Sequence, residues 1–187
     1  TRVGLLQAAL GLGIGIGTIA AGRLSGDKVE LGLVPLGALG MVLGAVLLWL
    51  APPSYGWALA ALVLLGGSAG LFIIPLNAFL QQRTLPEERG RLIATNNVVN
   101  TAGILLASAV LWLLRDVAGM SPAAIALATA ALTLAVAAYI VTLVPDFLVR
   151  FLLWMLTHSI YRIRILGQPN LPVRGPALLV CNHVSFV

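Results

Sequence analysis

Five apolar runs, each long enough to cross a bilayer, set the terms for everything else this chain can fold into. A spanning helix needs about 20 apolar residues, each adding about 1.5 Å against a hydrocarbon core about 30 Å thick. The runs cover Val3 to Ala21, Leu31 to Ala51, Trp57 to Leu80, Leu92 to Leu114, and Pro122 to Val144. Pro52-Pro53 stops the second and Pro145 closes the fifth. Charge is nearly absent from them: only 9% of the chain is charged and mean hydropathy is +1.04, where soluble domains carry about 25% charged residues. Such a chain cannot coat itself against water, so the expected fold is an all-α membrane bundle of about five transmembrane helices.

Charge at the helix ends orients the bundle. Arg23, Lys28, Arg83, Arg89, Arg91, Arg150, Arg162, Arg164 and Arg174 fall on one side, and only Arg2 and Arg115 on the other. Basic residues concentrate in cytoplasmic loops, which predicts that the 23–30 and 81–91 loops and the C-terminal tail face the cytoplasm, with Thr1 outward. A chain that starts without Met, almost directly in an apolar run, is expected to be a piece of a longer protein. The net charge of +5 does not point to nucleic acid, because the cations are scattered among short loops without interleaved aromatics. The single Cys181 excludes an internal disulfide and a Cys-based metal site. No metal or cofactor is expected.

Glycine recurs inside the runs with small-xxx-small spacing: Gly11/Gly15, Gly13/Gly17, Gly40/Gly44 and Gly66/Gly70. Lipid tails are as apolar as leucine, so helices associate through close backbone approach, which these positions allow. The stretch Gly11-Leu12-Gly13-Ile14-Gly15 lacks a preceding strand and is read as helix packing, not a nucleotide loop.

The pattern changes after Pro145. From Asp146 to Ser159, Arg150, Trp154, His158 and Arg162 form a polar and aromatic stripe, while Leu148, Leu152, Met155 and Leu156 face away. That predicts a helix over 145–159 lying in the membrane interface. Tyr161 to Ile165 alternates with period two, as a half-buried strand does, and Ala177 to Cys181 reads as a short buried strand. A second, α/β domain is therefore expected from residue 160.

The loop Gly22-Arg23-Leu24-Ser25-Gly26-Asp27-Lys28 resembles the glycine-and-charge loop of the major facilitator superfamily, in the copy between helices eight and nine. The resemblance implies that Gly22 and Gly26 permit the turn, and that Arg23, Asp27 and Lys28 latch helix ends in one transport conformation. The five runs would then be the last five of a twelve-helix transporter. Residues Pro75 to Asn97 resemble, more specifically, the bacterial lysophospholipid transporter family, a branch of that superfamily, and the likeness extends over 1–144.

Within that stretch and just beyond it, Asn77, Gln81, Asn96, Asn97, Asn100 and Thr101 are polar groups in or near the membrane, where an unsatisfied hydrogen-bonding group is costly. They are the candidate substrate-binding residues, since a headgroup with phosphate and amine needs such donors and acceptors. Interhelical glue is the competing role for the same amides. No acidic residue lies deep in a run, so no proton-relay carboxylate is evident.

The final residues, Asn182-His183-Val184-Ser185-Phe186-Val187 after Arg174-Gly175-Pro176, resemble the opening motif of the glycerolipid acyltransferases, N-H-x-x-x-x-D. The likeness makes His183 the candidate catalytic base, with its orienting Asp falling just past Val187. It divides the chain into a transporter portion (1–144), an interfacial linker (145–159) and the start of an acyltransferase domain (160–187). The function implied is lysophospholipid transport across the bacterial inner membrane, coupled to re-acylation of the kind performed by 2-acylglycerophosphoethanolamine acyltransferases. The partners implied are the lysophospholipid, membrane lipid, and an acyl carrier protein or CoA thioester as acyl donor. This piece by itself is expected to lack acyl-transfer activity. Two alternatives stay open: an acyltransferase for which the helices are only an anchor, and a facilitator of another substrate.

Overall fold

The computed structural model describes residues 2–26, 29–50, 54–143 and 145–160. Compact packing divides the chain into two units, Thr1–Leu153 and Trp154–Val187. The described part of the second is the last turns of one helix. The expected strands at 161–165 and 177–181, Arg162, Asp27, Lys28 and His183 all lie outside the described residues.

Every regular element among the described residues is helical: α1 (Arg2–Ser25), α2 (Leu33–Trp49), α3 (Tyr55–Arg83), α4 (Arg89–Trp112), α5 (Pro122–Leu143) and α6 (Pro145–Ile160). A 3₁₀ turn, Pro86–Glu88, leads into α4, and a π turn, Leu113–Val117, ends it. Among the described residues, four helical stretches are long and apolar enough to span a membrane, those containing α1, α3, α4 and α5. The second predicted run is the exception. Leu31 and Gly32 form a turn in which Leu33 and Val34 donate to the carbonyls of Glu30 and Leu31, so α2 keeps only 17 residues. At about 1.5 Å per residue that is roughly 26 Å, at the short end of a spanning helix. Pro35 is tolerated because it sits in the first turn of α2, where its missing N–H has no helical partner to lose.

The helix ends are closed by identifiable devices. Gly26, at φ +53°, terminates α1 with its N–H donating to the Gly22 carbonyl at 3.2 Å. A left-handed residue there is cheap only for glycine. Gly119, at φ +66°, does the same beyond the π turn, where Ala118 and Met120 donate to the carbonyls of Leu113 and Leu114. At the other end of the bundle, Trp57 donates its indole N–H to the Leu47 carbonyl at 2.8 Å. Tyr55 donates its hydroxyl to the Arg2 carbonyl at 2.7 Å, and the Arg2 guanidinium lies 5.8 Å from the Tyr55 ring. Amphipathic aromatics at helix ends are what a membrane interface selects.

The packing core is made of backbone. α1 lies along α3, α2 along α3, and α5 along α2. A Cβ on Gly13 would strike the Val63 carbonyl, one on Gly17 the Gly67 carbonyl, and one on Gly66 the Leu10 carbonyl. A Cβ on Gly70 would likewise lie 2.7 Å from the Ile14 carbonyl oxygen and from the Thr18 nitrogen. Across the other groove, a Cβ on Gly40 would meet the Ser68 hydroxyl, which is itself buried and donates to the Leu64 carbonyl at 2.8 Å. Gly44 lies against Leu65. Three of the four predicted glycine pairs therefore mediate helix contact. The fourth does not: a Cβ added to Gly11 or Gly15 would find nothing within 4 Å.

α1 thus carries two smooth faces. Ala9, Gly13, Gly17 and Ala21 are buried, while Gly4, Ala8, Gly11, Gly15 and Gly22 are exposed. At about 100° per residue the two sets lie on opposite sides of the helix.

α6 is amphipathic, as its sequence predicts, but its anchor is a residue outside the predicted stripe. Phe151 is only 3% exposed and forms a small core with Ala21 (0%) and Leu33 (1%), flanked by Leu36, Leu71 and Ile74. Leu152, Met155 and Leu156 are exposed, in keeping with an apolar face offered to lipid. Arg150 is exposed, whereas the side chains of Trp154 and His158 lie outside the described residues.

Candidate transport site

The candidate substrate residues sit on α3 and α4. Asn77 is half-buried two residues after Pro75, a proline inside α3. Gln81 is exposed one turn further on. On α4, Asn96 is half-buried and Asn97, Asn100 and Thr101 are exposed. The polypeptide brings each set to the basic end of the bundle, because the turn between the helices is tight. Thr84 is extended and donates its hydroxyl to the Leu80 carbonyl at 2.7 Å. Pro86 then opens the 3₁₀ turn, and Glu88 pairs with Arg91 at 3.0 Å. Both partners are exposed, so this pair is worth under about 1 kcal/mol.

The two sets are not packed together. α4 buries none of its residues and shares almost no packing contact with α3. Asn77, Gln81, Asn96, Asn97 and Asn100 have no side-chain hydrogen bond to another described residue. Thr101 donates within its own helix, to the Asn97 carbonyl at 2.8 Å. In these residues the amides do not tie one helix to another, and their donors and acceptors are available.

Asn97, Val98, Thr101, Ala102 and Leu105 line a shallow, wide-open groove of about 400 Å³ on the exposed face of α4 alone. Its lining is mostly apolar, with a polar edge at Asn97 and Thr101. The shape suits a molecule with one polar end and one greasy one. Asn97 and Thr101 stand a helical turn apart on one side of the groove, and Val98, Ala102 and Leu105 supply the aliphatic surface beside them.

Of the predicted conformational loop, Gly22 falls inside α1, Arg23 is exposed in its last turn, and Gly26 makes the left-handed exit. Sequence reasoning passed over Gln7 and Thr18, which share the open, small-residue face of α1 with Gly11 and Gly22. Their signal was present in the spacing: small residues at 4, 8, 11, 15, 18 and 22 alternate steps of four and three, which keeps them on one face of the helix. Among the described residues no cluster of His, Cys, Asp or Glu could hold a metal ion.

Comparison with known proteins agrees with this architecture. An uncharacterized MFS-type transporter, y4rN, of Sinorhizobium fredii (strain NBRC 101917 / NGR234) is 30% identical over 112 residues, covering 59% of this chain and 27% of the relative. The matched stretch of this chain spans about a quarter of that protein's length. No solved structure matches. The family profile of the Major Facilitator Superfamily matches residues 1–108, which takes in α1 to α3 with their glycine-packed core and most of α4 with its amides. Helices too apolar for water, packed backbone to backbone and closed by a glycine-capped turn, agree with that profile, and the chain belongs to the Major Facilitator Superfamily.

Proposed function

We propose that this chain belongs to a facilitator that carries a lysophospholipid across the bacterial inner membrane. The reading rests above all on the α4 groove, where Asn97 and Thr101 sit at the edge of an apolar trough. Lysophospholipid has that profile, a hydrogen-bonding phosphate headgroup on a single acyl chain. The likeness of Pro75 to Asn97 to the lysophospholipid transporter family supports the same substrate. Asn77, Gln81, Asn96 and Asn100 would supply further headgroup contacts when the helices close around it. Alanine at Asn77, Asn96, Asn97 or Asn100 in the intact protein should lower lysophosphatidylethanolamine uptake about tenfold, as expected for losing one or two hydrogen bonds to a charged group. Membrane abundance should not change. Abundance falling in step with uptake would make the amides packing residues and remove the site.

The same reading sets the orientation. The end that bears Arg23, Arg83, Arg89, Arg91 and Arg150 faces the cytoplasm, so α6 lies on the inner leaflet and residues 160–187 begin a cytoplasmic acyltransferase domain. Lysolipid delivered inward is then re-acylated where it arrives. With Cys181 first replaced by Ala, a single cysteine at Ser54 in the intact protein should react with an impermeant thiol reagent added outside. One at Glu88 should not. Outside labelling at Glu88 would reverse the orientation.

A further inference from the structure

At the basic end of the bundle, α3 and α5 flank α2 with little packing between them. The gap between them is a cleft of about 220 Å³, walled by Leu31 and Val34 of the α2 entry, Leu76 and Phe79 of α3, and Ile140 and Leu143 of α5. No polar atom contributes to its surface. A cavity with such walls gives water no hydrogen-bonding partners and stays dry. Leu143 is 58% exposed, so the cleft is open toward whatever surrounds the helices.

Its rim is different in kind. Phe79, one of the walls, carries the Arg83 guanidinium 5.2 Å from its ring centroid. Arg83 is exposed at the last turn of α3 and has no carboxylate within ion-pair distance among the described residues. Among the described residues, the acidic ones near this end are Glu30, Glu87, Glu88 and Asp146, of which only Glu88 is engaged, with Arg91; Asp27 lies outside the described residues. A guanidinium held on an aromatic face keeps its N–H fork free, and that fork matches the oxygens of a phosphate. An apolar slot that ends at an arginine with no carboxylate partner among the described residues, where the apolar part of the helix gives out, has the layout of a phospholipid turned inside out.

We propose that this cleft holds one acyl chain of a phospholipid from the surrounding leaflet, with its phosphate on Arg83. The lipid is a resident one. It enters from the side of the bundle and fills the space that α3 and α5 leave over α2, and it is separate from the amide-edged groove on α4. The assignment does not depend on what the transporter carries.

Native mass spectrometry of the intact protein in neutral detergent tests this, with dioleoyl phosphatidylglycerol compared against dioleoylglycerol, which has the same chains and no phosphate. The first phosphatidylglycerol should bind about tenfold more tightly than dioleoylglycerol. Arg83→Gln should bring the two to near equality without weakening dioleoylglycerol. Ile140→Trp, which fills the half-exposed side of the cleft, should weaken both while helical content is unchanged. Equal binding of the two lipids by the native protein, or an undiminished preference in Arg83→Gln, would overturn the phosphate assignment. Undiminished binding in Ile140→Trp would remove the chain from the cleft. Lysophosphatidylethanolamine displacing the bound lipid one for one would make the cleft a cargo site and overturn the resident lipid.

Discussion

Gly17→Val should unfold or strongly destabilise the bundle, while Gly15→Val, two residues away in the same helix, should be nearly neutral. The new methyl groups at position 17 would enter the space of the Gly67 carbonyl and its neighbouring backbone atoms. Overpacking a core that can shift its side chains costs about 1–3 kcal/mol. Two backbones in contact have no side chain to move, so about 3 kcal/mol or more is expected here. Gly66→Val, which meets the Leu10 carbonyl from the opposite helix, should behave like Gly17→Val. At position 15 there is open space, and valine has only its small helix-propensity difference from glycine to express. Thermal unfolding of the intact protein in detergent measures all three. Equal losses at 15 and 17 would mean that α1 does not pack on α3 by the face observed.

His183→Ala should abolish re-acylation in the intact protein and leave lysophospholipid uptake close to normal. This follows from the proposed acyltransferase motif and the separate location of the transport residues. A general base contributes roughly 10²–10⁴-fold when held within hydrogen-bond reach of the proton it removes, and nothing else in Asn182 to Val187 could replace an imidazole in that role. The two activities are measured on one variant, by acyl incorporation into lysophosphatidylethanolamine and by its uptake. Retained acyl transfer would end the catalytic assignment of His183. Loss of both activities would mean that transport requires the acyltransferase end of the chain.

The candidate site was legible as a list of residue types more than as a place. Amides and a hydroxyl in an apolar chain announce themselves, because each must find a partner or a ligand. Whether they face one another does not follow from spacing, which relates residues along one helix only. Hence Asn97 and Thr101 could be matched in advance, a turn apart on α4, but the loose association of α4 with α3 could not. Gln7 and Thr18 were overlooked for a related reason: one polar side chain in a run of glycine and leucine looks incidental until the opposite face of α1 is seen to be occupied.

What the sequence determined by itself is whatever depends on local chemistry. Run length against bilayer thickness set the helices, Pro52-Pro53 and Pro145 set their limits, and Gly26 set the turn out of α1, because only glycine adopts that backbone cheaply. The loop at 22–28 and the stretch at 75–97 pointed to the superfamily that the chain proves to belong to. Tertiary structure decided which of two equivalent glycine stripes on α1 is buried. Gly11/Gly15 and Gly13/Gly17 have the same spacing and the same chemistry, and the choice is made by Gly66, Gly67 and Gly70 on α3, which accept one stripe and leave the other bare. It likewise placed Phe151, unremarkable in an apolar helix, against Ala21 and Leu33, and set Arg83 on the ring of Phe79 at the rim of an apolar cleft. In lipid, solvent does not distinguish one apolar face from another, so shape complementarity between helices selects the contact, and complementarity is a property of pairs that no single run contains.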